Sequence, residues 1–134
     1  MIEQVEIRTP KRSALVEITT QIQRLVSKSG IKEGICYIFV PHTTAGVIIN
    51  ENADPTVQSD LLAELDKIVP WEDGYDHTEG NSAAHIKSSL AGVSLFVFVS
   101  GGTLKLGTWQ GIFLAEFDGP RTRKVWIKVI AAEA

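Results

Sequence analysis

The sequence predicts an α+β fold, and three observations carry that prediction. Short runs alternate apolar and polar residues with the two-residue period of half-buried strands, while other stretches carry apolar residues at helical spacing. Strands that follow one another in sequence are joined by short connections, which favour antiparallel pairing over a doubly wound parallel sheet. The predicted order is β-β-α-β-β-α-α-β-β-β.

Val5 and Ile7, then Val16 and Ile18, alternate with polar neighbours and open the chain with two short strands. Thr20-Gln21-Ile22-Gln23 has the form of a capping box for a helix with Ile22, Leu25 and Val26 on one face. Gly30 supplies its stop. Ile35–Val40 and Val47–Ile49 are nearly continuous apolar strands, joined by Pro41-His42-Thr43-Thr44-Ala45-Gly46. Asp54 caps a second helix with Pro55 in its first turn. Val57, Leu61, Leu62, Leu65, Ile68 and Val69 form its apolar face, and Pro70 ends it. Trp71 to Gly80 is acidic and turn-rich, the expected mobile edge of a pocket. Asn81 caps a third helix that turns Ala83, Ile86 and Leu90 inward, with Gly92 as its stop. Strands at Val93–Ser100, Gln110–Phe117 and Lys124–Ile130 close the chain, punctuated by Gly101-Gly102 and Asp118-Gly119-Pro120.

With 134 residues and no repeat or linker, residues 1–134 read as one domain. Apolar residues at 44% and charged residues at 22% are globular usage, which excludes disordered and fibrous classes. The single cysteine, Cys36, lies in an apolar strand and reads as core filler in a reducing compartment. The N-terminus carries acids where a signal peptide has lysines, and the longest apolar run, Val93 to Val99, is far too short to span a bilayer. A cytoplasmic protein with no membrane partner is expected. The net charge of −3 is spread without a basic stripe, so nucleic acid is not an expected partner either.

Chemistry concentrates at three histidines. His42, His77 and His85 all fall in irregular stretches or at the start of an element, never in mid-strand. Three imidazoles with an open fourth position can bind zinc and polarise an oxygen. Their spacing is long and matches no metal motif, so three unrelated histidines remain the competing interpretation. Several other motifs are absent. Gly102-Thr103-Leu104-Lys105-Leu106-Gly107 imitates a phosphate loop but continues Thr108-Trp109 where lysine and a hydroxyl are required. A zinc-deaminase pattern needs a second cysteine, and no nucleophile elbow occurs. The glycines at Gly101-Gly102 and Gly107 to Gly111 serve either turns or an anion nest. Trp71 and Trp109 are either packing anchors or stacking surfaces. In the turn Asp118-Gly119-Pro120-Arg121, the guanidinium either closes the turn or clamps a carboxylate or phosphate.

Four separated blocks resemble the YjbQ-like family. They are Pro41-His42-Thr43-Thr44-Ala45-Gly46 with Asn50-Glu51-Asn52-Ala53-Asp54-Pro55, His77 to Asn81 with Ala84-His85-Ile86-Lys87, Leu106-Gly107-Thr108-Trp109-Gln110-Gly111-Ile112, and Glu116-Phe117-Asp118-Gly119-Pro120-Arg121. The resemblance runs from about residue 10 to the end of the chain. It implies a β-sandwich-like α+β fold assembled as a homotrimer, with pockets near subunit boundaries. It also implies a divalent metal, often zinc, held by His42, His77 and His85.

Family members are commonly described as secondary thiamine-phosphate synthases, which join a hydroxymethylpyrimidine diphosphate to a thiazole phosphate and release diphosphate. On that pattern Arg121 stabilises the leaving group, and Glu51 or Glu116 acts as base or supports the metal. Thr43, Thr44, Asn81, Gln110, Asp118 and Arg121 then contact the phosphorylated substrate. A metal-dependent hydrolase of small phosphorylated substrates and a non-catalytic trimer binding anionic ligands are the competing functions.

Overall fold

The computed structural model describes residues 1–132. Strands β1 (Glu3–Arg8), β8 (Thr122–Ala131), β3 (Glu33–Phe39), β5 (Ser94–Ser100) and β6 (Thr103–Leu104) form one sheet in that spatial order. Strands β2 (Ala14–Glu17), β7 (Gln110–Glu116) and β4 (Ala45–Glu51) form a second. Every pairing is antiparallel. Helices α1 (Thr19–Ser29), α2 (Pro55–Ile68) and α3 (Ser82–Ala91) complete an α+β fold with all ten expected elements in the expected order.

The eleventh element, β6, is a two-residue strand. Gly101 and Gly102 both take positive φ, 61° and 74°, so the chain folds straight back and Ser100 pairs with Thr103. Paired positive-φ residues are the requirement of a tight hairpin turn. The sequence marked the turn but not the short strand beyond it.

Alternation places the core between the sheets. Ile38, Val97, Val125 and Ile127 of the first sheet meet Val47, Ile112 and Leu114 of the second, and Ile22 and Val26 of α1 pack against the same cluster. Each fully buried aliphatic side chain contributes about 1.5–3 kcal/mol. On the opposite face of the second sheet, Ala115 and Phe117 pack under Ala84 of α3 and Leu62 and Leu65 of α2.

Three details differ from the sequence reading. The start of α1 has no side-chain cap. Gln23 instead bonds Gly102 O and accepts from the Leu104 amide, tying α1 to β6. On α3 the buried residues are Ala83, Ala84, Lys87 and Ser88, while Ile86 faces out and Leu90 is 60% exposed. Close approach explains the swap. A Cβ on Gly46 would stand 2.4 Å from Gly92 O, and Ser88 donates to Ala45 O at 2.8 Å, so only small or slender residues fit that face.

On α2 no residue is fully buried, Ile68 points to solvent, and Val69, just past the helix, is buried instead. Lys87 stabilises this arrangement by reaching from α3 to Asp66 of α2. No helix among the described residues is long and apolar enough to cross a membrane.

Candidate functional site: a histidine-lined cavity

Four segments meet at one end of the sandwich. The chain leaving β3 supplies Pro41, His42, Thr43 and Thr44, and the loop between α2 and α3 supplies His77 and Glu79. Asn81 and His85 stand at the start of α3, and the β7–β8 connection with the first residues of β8 supplies Asp118, Arg121 and Arg123. They line a cavity of about 660 Å³. The expected convergence of three histidines on one cavity is therefore present.

Their geometry is uneven. The rings of His77 and His85 lie edge to face with centroids 5.4 Å apart, and His77 Nε2 is 3.9 Å from Glu79 Oε1. His42 is held differently: its Nε2 accepts the backbone N–H of Lys124 at 2.9 Å. Partial burial, followed by the nearby Arg123 charge, keeps His42 below the usual imidazole range, with the Glu116 charge opposing. Among the described residues, no three His, Cys, Asp or Glu side chains are placed to hold one metal ion.

Beneath the cavity lies a buried ionic network. Glu116 is 0% exposed and Arg123 4% exposed. Arg123 Nε donates to Glu116 Oε1 at 2.8 Å and its Nη2 donates to Oε2. The same Nη2 reaches Thr44 Oγ1 at 2.8 Å. Thr9 Oγ1 and the Asp118 amide complete the carboxylate's partners at 2.8 and 3.0 Å. Burial alone would raise the Glu116 pKa, but the bonds from Arg123, Asp118 and Thr9 outweigh it and hold the carboxyl below its usual range.

At the rim, Asp118 Oδ2 accepts from Asn81 Nδ2 at 2.9 Å and from Arg121 Nη2 at 3.0 Å. Arg121 Nε donates to Asp118 O at 2.7 Å. Asp118 thus fixes both neighbours, and Asn81 spends its amide here instead of capping α3. Its Oδ1 is buried with no partner among the described residues.

Of the residues expected from sequence, His42, His77, His85, Thr43, Thr44, Asn81, Asp118 and Arg121 line this cavity. Glu116 does not: it sits behind the wall with both oxygens occupied. Glu51 and Gln110 pair with each other at the far end of β4 and β7, whereas Ala45 pairs with Glu116 at the near end. Six steps of extended strand put Glu51 about 20 Å along the sheet from the cavity within one chain.

Arg123 was missed as a site residue. Arg123 had a signal, since it shares the inward phase of Val125 and Ile127 and so had to be buried with a partner.

The fold and site define a class of small two-sheet α+β proteins with a histidine-lined cavity at one end. The chain belongs to the YjbQ-like family, UPF0047, which it matches over residues 3–132. It is 50% identical over 131 residues to the UPF0047 protein YugU of Bacillus subtilis, covering 97% of this chain and 99% of that protein. A UPF0047 protein of Methanocaldococcus jannaschii is 52% identical over 130 residues, with 97% and 94% covered.

Among solved structures, a conserved YjbQ/UPF0047 protein of Clostridium acetobutylicum superposes with a TM-score of 0.94 at 49% identity, covering 96% and 99% of the two chains. A protein of Sulfolobus solfataricus P2 described as YbjQ-like and of unknown function gives 0.94 at 34% identity, covering 98% and 97%.

Proposed function

We propose that the cavity binds a small phosphorylated substrate and that the chain is a transferase of the thiamine-phosphate synthase type. It would join a hydroxymethylpyrimidine diphosphate to a thiazole phosphate with release of diphosphate. One observation carries this: three histidines far apart in sequence share a cavity with Arg121, whose guanidinium is oriented by Asp118. Breaking a carbon–oxygen bond to diphosphate leaves the electron pair on the departing oxygen, and cationic groups aimed at that charge lower the barrier. Arg121 presents its Nη1 side without a protein partner among the described residues, while Asn81, Thr43 and Thr44 supply polar contacts around it.

A divalent ion, zinc by the nitrogen-rich donor set, belongs to the same proposal. His77 and His85, whose ring centroids lie 5.4 Å apart, are the imidazoles that would hold it, and when bound it would add positive charge at the leaving group. Glu116 supports the site by holding Arg123, which in turn bonds Thr44 in the cavity wall.

The proposal extends to a cytoplasmic homotrimer. The buried thiol of Cys36 suits a reducing compartment. The outer face of the five-stranded sheet exposes Tyr37, Phe39, Phe96, Phe98 and Trp126, an apolar surface of the kind subunit contacts cover. Phe39 also lines the cavity, which supports a site near a subunit boundary.

The test is turnover of the two thiamine precursors measured beside a panel of phosphate esters. Synthase product that is lost in Arg121→Ala supports the proposal. Ester hydrolysis without synthase product favours a metal-dependent hydrolase, and binding without turnover favours an anion-binding trimer.

A further inference from the structure

We infer that His42 works in the cavity as a neutral hydrogen-bond donor, giving its Nδ1–H to a phosphate oxygen, with the Lys124 backbone amide as the positioning group that fixes this tautomer. The inference rests on the phosphorylated-substrate proposal and assigns His42 a role other than metal ligand.

The chemistry follows from one bond. A backbone N–H can only donate, so the Nε2 that accepts it carries a lone pair and no proton. A neutral imidazole has one N–H, which is therefore on Nδ1. A metal-ligating histidine needs the reverse: a free lone pair toward the ion and an N–H toward an outer acceptor. His42 has its lone pair occupied by Lys124, and its remaining nitrogen can only give a proton. The second nitrogen of this cavity-lining ring is therefore a donor, and a phosphate oxygen is the acceptor that matches it.

The fold explains why the bond forms and persists. The β3–β8 ladder ends at Phe39 and Trp126, two residues before the strand position of Lys124. On its other side β8 continues to pair with β1, where Lys124 faces Glu6. The chain of β3 turns away at Pro41, leaving the Lys124 amide without its next ladder partner, and the His42 ring takes that place.

Arg123 beside it cannot shift, because Glu116 and Thr44 hold its guanidinium. Protonating Nε2 would set two N–H groups against each other near the Arg123 cation. Burial and that same charge already favour the neutral ring.

His77 and His85 differ. Neither has a protein hydrogen bond to a ring nitrogen among the described residues, so both keep lone pairs available. The three histidines thus divide into a donor and a pair of acceptors.

The experiment is ¹H–¹⁵N NMR of the imidazoles in the full-length protein, alone, with zinc, and with inorganic diphosphate. The expected result is an Nδ1–H tautomer for His42 and a scalar coupling between its Nε2 and the Lys124 amide. Zinc should shift His77 and His85 but leave the His42 nitrogens in place, and diphosphate should shift the His42 Nδ1–H. An Nε2–H tautomer, or a zinc shift at His42 equal to that at His77, overturns the inference.

Diphosphate that perturbs Arg121 but not His42 overturns it while leaving the proposed function standing. Diphosphate that perturbs no cavity residue overturns both. His42→Gln keeps an acceptor for Lys124 and should keep the amide protected from exchange, whereas His42→Ala should expose it. Equal exchange in the two variants also counts against the inference.

Discussion

Arg123 and Glu116, both buried, are locked together through two hydrogen bonds between a guanidinium on β8 and a carboxylate at the end of β7. Neither group reaches bulk water, so each depends on the other for its charge to be tolerated. Removing one partner leaves an uncompensated buried ion. Glu116→Gln is expected to lose about 3–5 kcal/mol of stability. Urea unfolding of Glu116→Gln, Arg123→Met and the double variant checks this, with the double loss expected to fall well short of the two single losses added together.

The same carboxylate sets an acid limit. In the fold, Arg123, the Asp118 amide and Thr9 hold Glu116 below its ordinary value of 4.5. A group depressed in this way adds stability that is fully present above the unfolded pKa and is lost as pH falls through the folded one. Thermal midpoints should therefore hold steady near neutrality and fall steeply in acid. In Glu116→Gln the protein should start lower and show a shallower acid decline, and a parallel pair of curves would refute the assignment.

How much of this was legible beforehand follows from range. Patterns of two and of 3.6 residues marked every strand and helix except β6, because they arise from local alternation. The inward face of α3 was misjudged because hydrophobicity pointed to Ile86 and Leu90, while close packing selects Ser88 against β4 and Ala84 against β7 for size. The cavity residues were found through motif blocks that resemble a family. Glu116 and Asp118 were recognised as important but given chemistry, where the fold uses them to hold Arg123, Asn81 and Arg121. A bond such as Lys124 N–H to His42 joins residues 82 apart and leaves no local trace.

That contact between α3 and β4 gives a sharp packing test. A methyl group on Gly46 would meet Gly92 O at 2.4 Å and Ala91 Cβ at 3.2 Å, and backbone cannot rotate aside. Gly46→Ala is expected to cost about 1–3 kcal/mol and to push α3 outward. Because α3 carries His85, the proposed zinc binding, measured by calorimetry, should weaken in the same variant. Ile86→Ala on the outer face should change little in either measurement.

Asp118 offers a separation of binding from stability. It is close to the surface and pairs with an exposed Arg121, a type of ion pair worth about 0–1 kcal/mol. Asp118→Ala should barely move the unfolding midpoint, yet it releases both Asn81 and Arg121 from their orientations. A higher KM for the proposed phosphorylated substrate is expected, together with a fall in kcat smaller than the roughly 10²–10³ expected for losing Arg121 itself. Steady-state kinetics of Asp118→Ala and Arg121→Ala side by side decide whether Asp118 orients the clamp or only closes the turn.

Glu51 and Gln110 face each other at the far end of the second sheet, next to the exposed indole of Trp109. Within one chain they are too distant from His42 to share its substrate. In the proposed homotrimer a far end could meet a neighbour's cavity, and that is the one arrangement in which Glu51 acts in the reaction. Glu51→Gln would then lower turnover by about 10²-fold, as loss of an acid–base group does. His42→Ala would be impaired at the other half of the same composite site. Mixing the two impaired variants under subunit exchange should raise activity above that of either alone, since some sites would then receive an intact half from each partner. Full activity in Glu51→Gln alone, or no recovery on mixing, would confine the site to the cavity of a single chain.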